Sequence, residues 1–406
     1  MKVLIHTMYF LPEFGSAPIL MNELATTLAK KGHDVEVITT LPRPPHNKGY
    51  EGRFYIRESR EGFRVKRILT NFTIHHIGRL VAWTIYTVLT MINLVTIRRG
   101  DVLFLRLPPL QLGVTGILGR RLRGAKVLLN VQDIHPDLSI ESGLLRNPFF
   151  IKMAKGFEKW IYRQTENIAV ISEGFKKNLE AKGVPAEKMT VIPNWVDTDF
   201  LRPLPRRNAV SQKFNLHNMF TVMYSGTISI SSYLTLERIL EAASRLRSDP
   251  EIRLVIVGEG LKRNDLMARA AALGLDNVLF LPFQPYEDLP NLLASADVLF
   301  VPLDKQKSLL SVPSKLYNYM AAGRPILGLA QADSEVFALI QETSCGACVS
   351  PEDPERIAAA VLSLKNDVSG RGTMAGNSRS YAVNHFSREP ILKTYEDLLL
   401  ALTAEA

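Results

Sequence analysis

The sequence predicts an α/β chain folded as two doubly wound domains, each a parallel sheet covered by helices. Three observations predict it. Short apolar runs bounded by turn residues alternate with segments of helical period along the whole chain, as parallel strands with helices on both faces require. The rhythm stops and restarts once, across residues 197–218, which are rich in Pro, Arg and Asn and hold no sustained period. And 406 residues exceed one ordinary domain but suit two of about 200 each.

Taken in order, the first half is expected to hold strands near residues 2–6, 34–39, 63–68, 101–106, 126–132, 167–172 and 189–194. The second restarts with strands near 220–226, 252–258, 277–283, 297–303 and 325–330. The domains are therefore expected at 1–200 and 201–386. The tail, 387–404, spaces Ile391, Leu392, Tyr395, Leu398, Leu399 and Leu402 on one helical stripe that needs a surface to cover. Residues 80–97 break the pattern with 18 uncharged positions, framed by Arg79 and by Arg98 and Arg99. Their length is borderline for a membrane span, but a span would tear the next strand from its sheet. A helix covering the sheet is expected instead, either wholly buried or partly facing lipid through Trp83 and Tyr86.

A composition of 46% hydrophobic and 22% charged residues is that of a globular protein and argues against long disordered tracts. Cys345 and Cys348 cannot make a disulfide framework, and Glu13 follows the first apolar run too soon for a secretory signal. A reducing, cytoplasmic setting is the expectation. The formal charge of +9 is one-sided: residues 1–200 hold 28 Lys and Arg against 18 Asp and Glu, and the remainder 21 against 22. A basic first domain points to an anionic partner, with membrane lipid, lipid-linked phosphate and nucleic acid as the classes to weigh.

Doubly wound sheets bind ligands beyond the C-terminal ends of their strands, where helix N-termini converge, so those loops are the places to look. The first runs through Pro12, Glu13, Phe14, Gly15, Ser16, Ala17 and Pro18; its N–H groups can hold phosphate or make a plain turn, since it matches no G-x-G-x-x-G or G-K-[ST] pattern. After the fifth strand, residues 132–137 crowd ionisable groups together. Asp133 and His135 can reach a site there, although a histidine in such a loop can also be held by a carboxylate. Gly258, Glu259, Gly260 and Lys262 end another strand and open a helix. The sharpest signal lies in residues 312–325. Pro313 and Ser314 suit a helix start, Lys315 falls in the first turn, and Gly323 closes the helix. A cation there opposes the helix dipole, so Lys315 is misplaced unless an anion joins it or solvent screens it. The C-x-x-C of Cys345 and Cys348 lacks a redox context and reads as small buried thiols. The D-x-D of Asp197 and Asp199 opens the linker rather than a metal site.

Four stretches then carry a resemblance across nearly the whole chain. They are Tyr9 to Pro12 with Glu13, Gly15, Gly32, His33, Asp34 and Val35; Val170 to Ser172 with Val191 to Asp197; Tyr224, Ser225 and Gly226; and Pro313, Ser314 and Lys315 through Gly323, Arg324 and Pro325. The chain resembles the family 4 retaining glycosyltransferases of GT-B fold, in particular the fucosamine-transferase-like branch of bacterial colanic-acid and O-antigen assembly. The resemblance implies two Rossmann-like domains facing a cleft, the first for the acceptor, the second for the nucleotide sugar, with the last helix crossing back to the first. It implies transfer of a sugar, of N-acetylated amino or deoxy type, from a UDP-linked donor to a lipid-linked or polysaccharide acceptor. It also implies no metal cofactor, no nucleic acid, and a place at the cytoplasmic face of the cell membrane. Carried over by position, Asp133 and His135 are catalytic candidates. Gly15, Ser16, Gly226, Thr227, Glu259, Lys262, Ser314, Lys315 and Asn318 are donor-binding candidates. The family's E-x7-E pair is replaced by Leu310 and Asn318, and residues 227–233 lack the usual Arg and Lys-Gly, which shifts phosphate neutralisation onto Lys315, Lys262 and backbone N–H groups. A nucleotide-sugar epimerase of the same fold and a non-catalytic glycan- or lipid-binding partner of an assembly complex are the alternatives.

Overall fold

Parallel strands bury both faces, so the chain must supply helices to each side, and it does so twice. The computed structural model describes residues 1–13, 15–44, 46–69, 76–228, 230–303 and 312–404. It divides into Met1–Asn194 with Glu389–Ala406, and Trp195–Arg388. The divide falls a few residues before position 200 because Val196 donates its N–H to the Phe386 carbonyl (2.8 Å) and accepts from the Arg388 N–H (3.1 Å).

The first unit runs β1 (Lys2–His6), α1 (Ser16–Lys30), β2 (Asp34–Thr40), β3 (Tyr55–Arg60), β4 (Phe63–Ile68), α2 (His76–Ile92) and β5 (Val102–Leu107). It continues with α3 (Leu112–Arg123), β6 (Lys126–Val131), α4 (Asp137–Glu141), α5 (Pro148–Gln164), β7 (Asn167–Val170), α6 (Glu173–Ala181) and β8 (Met189–Val191). Its eight strands are ordered β3-β4-β2-β1-β5-β6-β7-β8. All pair in parallel except β3, which is antiparallel to β4. The sequence reading missed β3. Its residues alternate between exposed and half-buried at the sheet edge, so no apolar run marks it, and it joins β4 through Glu61 and Gly62, both at positive φ as a two-residue hairpin turn needs.

The two faces of this sheet are covered differently. Leu103, Leu105 and Val127 lie under α3, whose Gly116 and Gly119 let the helix sit so close that an added Cβ would come within 2.7 Å of Leu105 and 2.4 Å of Leu103. Phe104 and Asn130 point the other way. On α2, Trp83 and Tyr86 are buried and the Tyr86 hydroxyl donates to the Ile38 carbonyl (2.6 Å), so neither turns to lipid as expected; Leu80, Val81, Val88 and Ile92 are its exposed large apolar residues among those described. The helix is thus neither wholly buried nor exposed through its aromatics. Among the described residues, no helix is long and apolar enough to cross a membrane.

The second unit runs α7 (Ala209–Lys213), β9 (Phe220–Ser225), α8 (Ile230–Arg245), β10 (Ile252–Val257), α9 (Arg263–Ala272), β11 (Val278–Leu281) and α10 (Leu289–Ala294). Then follow β12 (Val298–Pro302), α11 (Lys315–Ala321), β13 (Ile326–Leu329), α12 (Glu335–Thr343), β14 (Gly346–Val349), α13 (Pro354–Asn366) and α14 (Val368–His385). Its six strands, ordered β11-β10-β9-β12-β13-β14, are all parallel. Strand alternation splits its core in two: Met223, Val255 and Val257 join one cluster, Val222, Leu254 and Ile256 the other. The last helix, α15 (Arg388–Ala404), packs on the first unit. There the Tyr395 hydroxyl accepts from the Asn130 amide (2.8 Å), its ring meets Phe104, and Glu396 pairs with Lys31 and with His33.

Candidate functional site

In the second unit the candidates converge at the C-terminal ends of β9 and β10 and the start of α11. The Gly258 and Gly260 positions are dictated by backbone proximity. A Cβ on Gly258 would stand 1.9 Å from the Gly226 carbonyl oxygen, and one on Gly260 would stand 2.3 Å from that of Ile228. The loops after β9 and β10 are accordingly laced together, Gly226 N–H to Val257 O (2.9 Å) and Ile228 N–H to Glu259 O (2.9 Å). These glycines therefore bring two strand-end loops into register.

Lys315 opens α11 and donates through Nζ to the Tyr224 hydroxyl (3.2 Å), its ammonium 4.7 Å from the centre of the Tyr224 ring. The Tyr224 hydroxyl in turn donates to the Thr227 carbonyl (2.7 Å). A Cβ on Gly226 would be 3.3 Å from the same ammonium, so the cation lies against bare backbone. Behind it, the Tyr319 hydroxyl accepts from the Ser225 N–H (2.8 Å) and donates to the Ser225 carbonyl (3.0 Å). Among the described residues no carboxylate pairs with Lys315. Lys262 differs: it is ion-paired with Asp265 and lies over the Tyr233 ring, while Glu259 faces Arg263 at 3.6 Å. Ser314 precedes α11 in helical conformation and its hydroxyl caps nothing, contrary to the expected cap. Asn318 lies one turn further, half-buried; Leu310 falls outside the described residues.

In the first unit the candidates stand at the ends of β1 and β6, with β5 between them. Gly15, at φ 141°, precedes α1, and Ser16 is its first residue. Glu13 is buried and accepts from the Arg43 guanidinium (2.8 Å), which stacks on Tyr9, so this carboxylate fastens the loop. Beyond β6, Asp133 and His135 are half-buried. The His135 Nδ1 meets the Ser139 hydroxyl on α4 at 3.0 Å and its ring packs edge-on against Trp83 of α2. A hydroxyl and an indole thus both contact this imidazole. Beneath them a buried amide chain fixes the strand end: Asn194 donates to Gln132 (2.8 Å), and Gln132 to Asn130 (2.9 Å).

Three residues escaped the sequence reading. Arg106 ends β5 buried; burial pulls its pKa down while Asp133, Tyr395 and Tyr9 hold it up. A charge inside an apolar strand was its legible signal. His6, at the end of β1, is fully buried with no hydrogen-bond partner for either ring nitrogen among the described residues, and burial, assisted by Lys66, lowers its pKa to about 3. Tyr224 gave no signal of its own as a site residue beyond its place in the resemblance, because a tyrosine in an apolar strand reads as core. The discounted motifs are structural. Asp197 pairs with Arg388 (2.6 Å) and accepts from the Asp199 and Phe200 N–H groups. Burial pushes the Cys348 thiol up to about 12. Among the described residues no three His, Cys, Asp or Glu side chains are grouped to hold a metal.

Residues 17–195 match the glycosyl transferase 4-like domain and residues 211–381 the glycosyl transferases group 1 domain. With two parallel-sheet units carrying this pair, the chain belongs to the family 4 glycosyltransferases of GT-B fold. Among curated relatives it is 27% identical to the colanic acid biosynthesis glycosyl transferase WcaI of Escherichia coli, over 97% of this chain and 98% of that one. It is 24% identical to the glycosyltransferase WbjE of Pseudomonas aeruginosa, over 76% of each. Its fold matches sucrose-phosphate synthase from Thermosynechococcus elongatus (TM-score 0.77, 18% identity, all of both chains). It also matches Anabaena HepE in complex with UDP (TM-score 0.73, 16% identity, 99% and 100% of the chains).

Proposed function

We propose that the protein transfers a sugar, with retention of anomeric configuration, from a UDP-linked donor to a lipid-linked or polysaccharide acceptor in cell-surface glycan assembly. The observation that carries this reading is the Lys315 ammonium, fixed by Tyr224 against the bare backbone of Gly226 with no carboxylate partner among the described residues. An unneutralised cation in the first turn of a helix is costly until an anion joins it, and a leaving diphosphate is such an anion. The names of WcaI and WbjE support the glycan setting, and the UDP complex of HepE supports the nucleotide. The donor sugar class, N-acetylated amino or deoxy, rests on the resemblance alone.

In the step proposed, the bond between the anomeric carbon and the diphosphate oxygen breaks and its electron pair leaves with the diphosphate. The acceptor hydroxyl oxygen bonds to the same face of that carbon, and its proton passes to the departing oxygen. Lys315 and the Gly226 and Thr227 backbone stabilise the leaving charge without a metal ion. Asp133 and His135 serve the reacting sugar, and Gly15 and Ser16 present α1 to the donor phosphates. The second unit holds the donor and the first the acceptor, at the cytoplasmic face of the membrane. Replacing one such charge-stabilising donor lowers turnover on the order of a hundredfold. Lys315→Ala should therefore lose about that much donor turnover, while the exposed Lys213→Ala stays within about twofold; equal activities would refute the assignment. Incubation with nucleotide sugar alone excludes epimerisation if no epimeric donor accumulates.

A further inference from the structure

We propose that the outer side of α2, α3 and α5 is a docking surface for an anionic lipid bilayer, with the aromatic side of α5 seated in the interface. This rests on the reading above of a protein that works at a membrane, and it names the surface and the residues.

The sequence of α5 carries three sides instead of the usual two. One packs inward through Glu158, Ile161 and Tyr162. A second places Phe149, Met153 and Trp160 in one column on a 3.6-residue helix, with Phe150 beside them. These four are 65%, 56%, 40% and 55% exposed. Single exposed apolar residues are ordinary, but four large ones on one helix, three of them aromatic, mark an interaction surface. The third side is cationic: Lys152, Lys155, Lys159 and Arg163 are all exposed. The one acidic residue of the helix, Glu158, is buried and ion-paired with Lys182 (2.6 Å), so the outer surface of α5 has no negative charge.

The neighbours extend this character. α3 packs against α5 through Gly113, where a Cβ would stand 2.4 Å from Ile161, and against α2, where the Thr90 and Thr115 hydroxyls meet at 3.1 Å. The exposed Leu80, Val88 and Ile92 lie on α2, with Arg98 and Arg99 shortly beyond it, and the end of α3 exposes Leu122 between Arg121 and Arg123.

Charge decides the occupant. A second copy using the same surface would bring two sets of cations together, and like charges repel. An anionic bilayer answers both features at once, because headgroups pair with the Lys and Arg side chains while Phe, Met and Trp enter the headgroup and acyl boundary.

The test uses the whole protein with vesicles of mixed phosphatidylglycerol and phosphatidylethanolamine, and with neutral phosphatidylcholine vesicles. Cosedimentation should be strong with the first and weak with the second. Trp160 emission should shift to the blue, a change that Trp160→Phe abolishes, since Trp83 and Trp195 are already buried. The Phe149→Ser/Phe150→Ser and Lys152→Glu/Lys155→Glu/Lys159→Glu variants should each bind about tenfold or more weakly. Both should keep the melting temperature and the turnover on a soluble acceptor. If wild type binds and both variants bind equally well, this surface is wrong while the membrane reading stands. If wild type binds no vesicle, both fail, and donor turnover still judges the transferase reading. A concentration-dependent dimer dispersed by Phe149→Ser/Phe150→Ser would also overturn the proposal in favour of a second copy.

Discussion

At Gly258 one methyl group is enough to prise two loops apart. The 1.9 Å approach of a Cβ to the Gly226 carbonyl oxygen leaves no room for relaxation in a side chain, because the obstacle is backbone, and φ of 152° is itself unfavourable for an L residue. Gly258→Ala is expected to cost about 2 kcal/mol or more and to weaken donor binding in step, because Gly226 must move. Thermal unfolding and a donor titration on the same protein check this; a variant with unchanged unfolding and affinity would contradict the account of the loops. Residue-scale legibility followed charge. Lys315 was readable because a cation in a first turn is locally unfavourable, whereas Tyr224, its anchor, looked like any core aromatic. Nothing local in the sequence told that Glu13 would fasten Arg43, thirty residues away, whereas the neutralisation of Lys262 by Asp265 is an i,i+3 pair that the sequence reading passed over.

Among the elements, α5 combines the clearest local coding with a titratable group in its buried side. Asn147 caps it by accepting from the Phe149 N–H, and Pro148 fits the first turn, where no N–H is needed. Burial lifts the Glu158 carboxyl from an ordinary 4.5 to about 7, with Lys182 only partly offsetting it. A carboxyl that holds its proton more tightly folded than unfolded adds stability that is complete below pH 4.5 and lost as pH rises through about 7. Glu158→Gln should match wild type in unfolding free energy near pH 5 and exceed it near pH 8, by something on the order of 1–2 kcal/mol. Parallel stability curves across that range would rule this out. Period gave most of the strands and the tail stripe. It failed where tertiary context decides: β3 has a polar edge pattern, and the side of α2 that faces the protein depends on Tyr86 finding a carbonyl on β2.

The whole molecule is two parallel-sheet units, the first completed by the last helix through Tyr395 and Glu396. That much was legible because βαβ rhythm and a break in it are long-range patterns with few alternatives, although the break at 197–218 folds as part of the second unit, with α7 and the buried Leu201, Val210 and Leu216. The site was legible by strand-end position and by the first-turn place of Lys315; the Tyr224 that holds Lys315 and the Trp83 that packs on His135 come from remote elements, which no local pattern reveals. The account depends on diphosphate binding at the strand ends of the second unit, and calorimetric titration with UDP measures that most directly. Losing a charged hydrogen bond to phosphate should weaken binding about tenfold to a hundredfold in Lys315→Ala, with Lys213→Ala matching wild type. Equal affinity in all three proteins would contradict it.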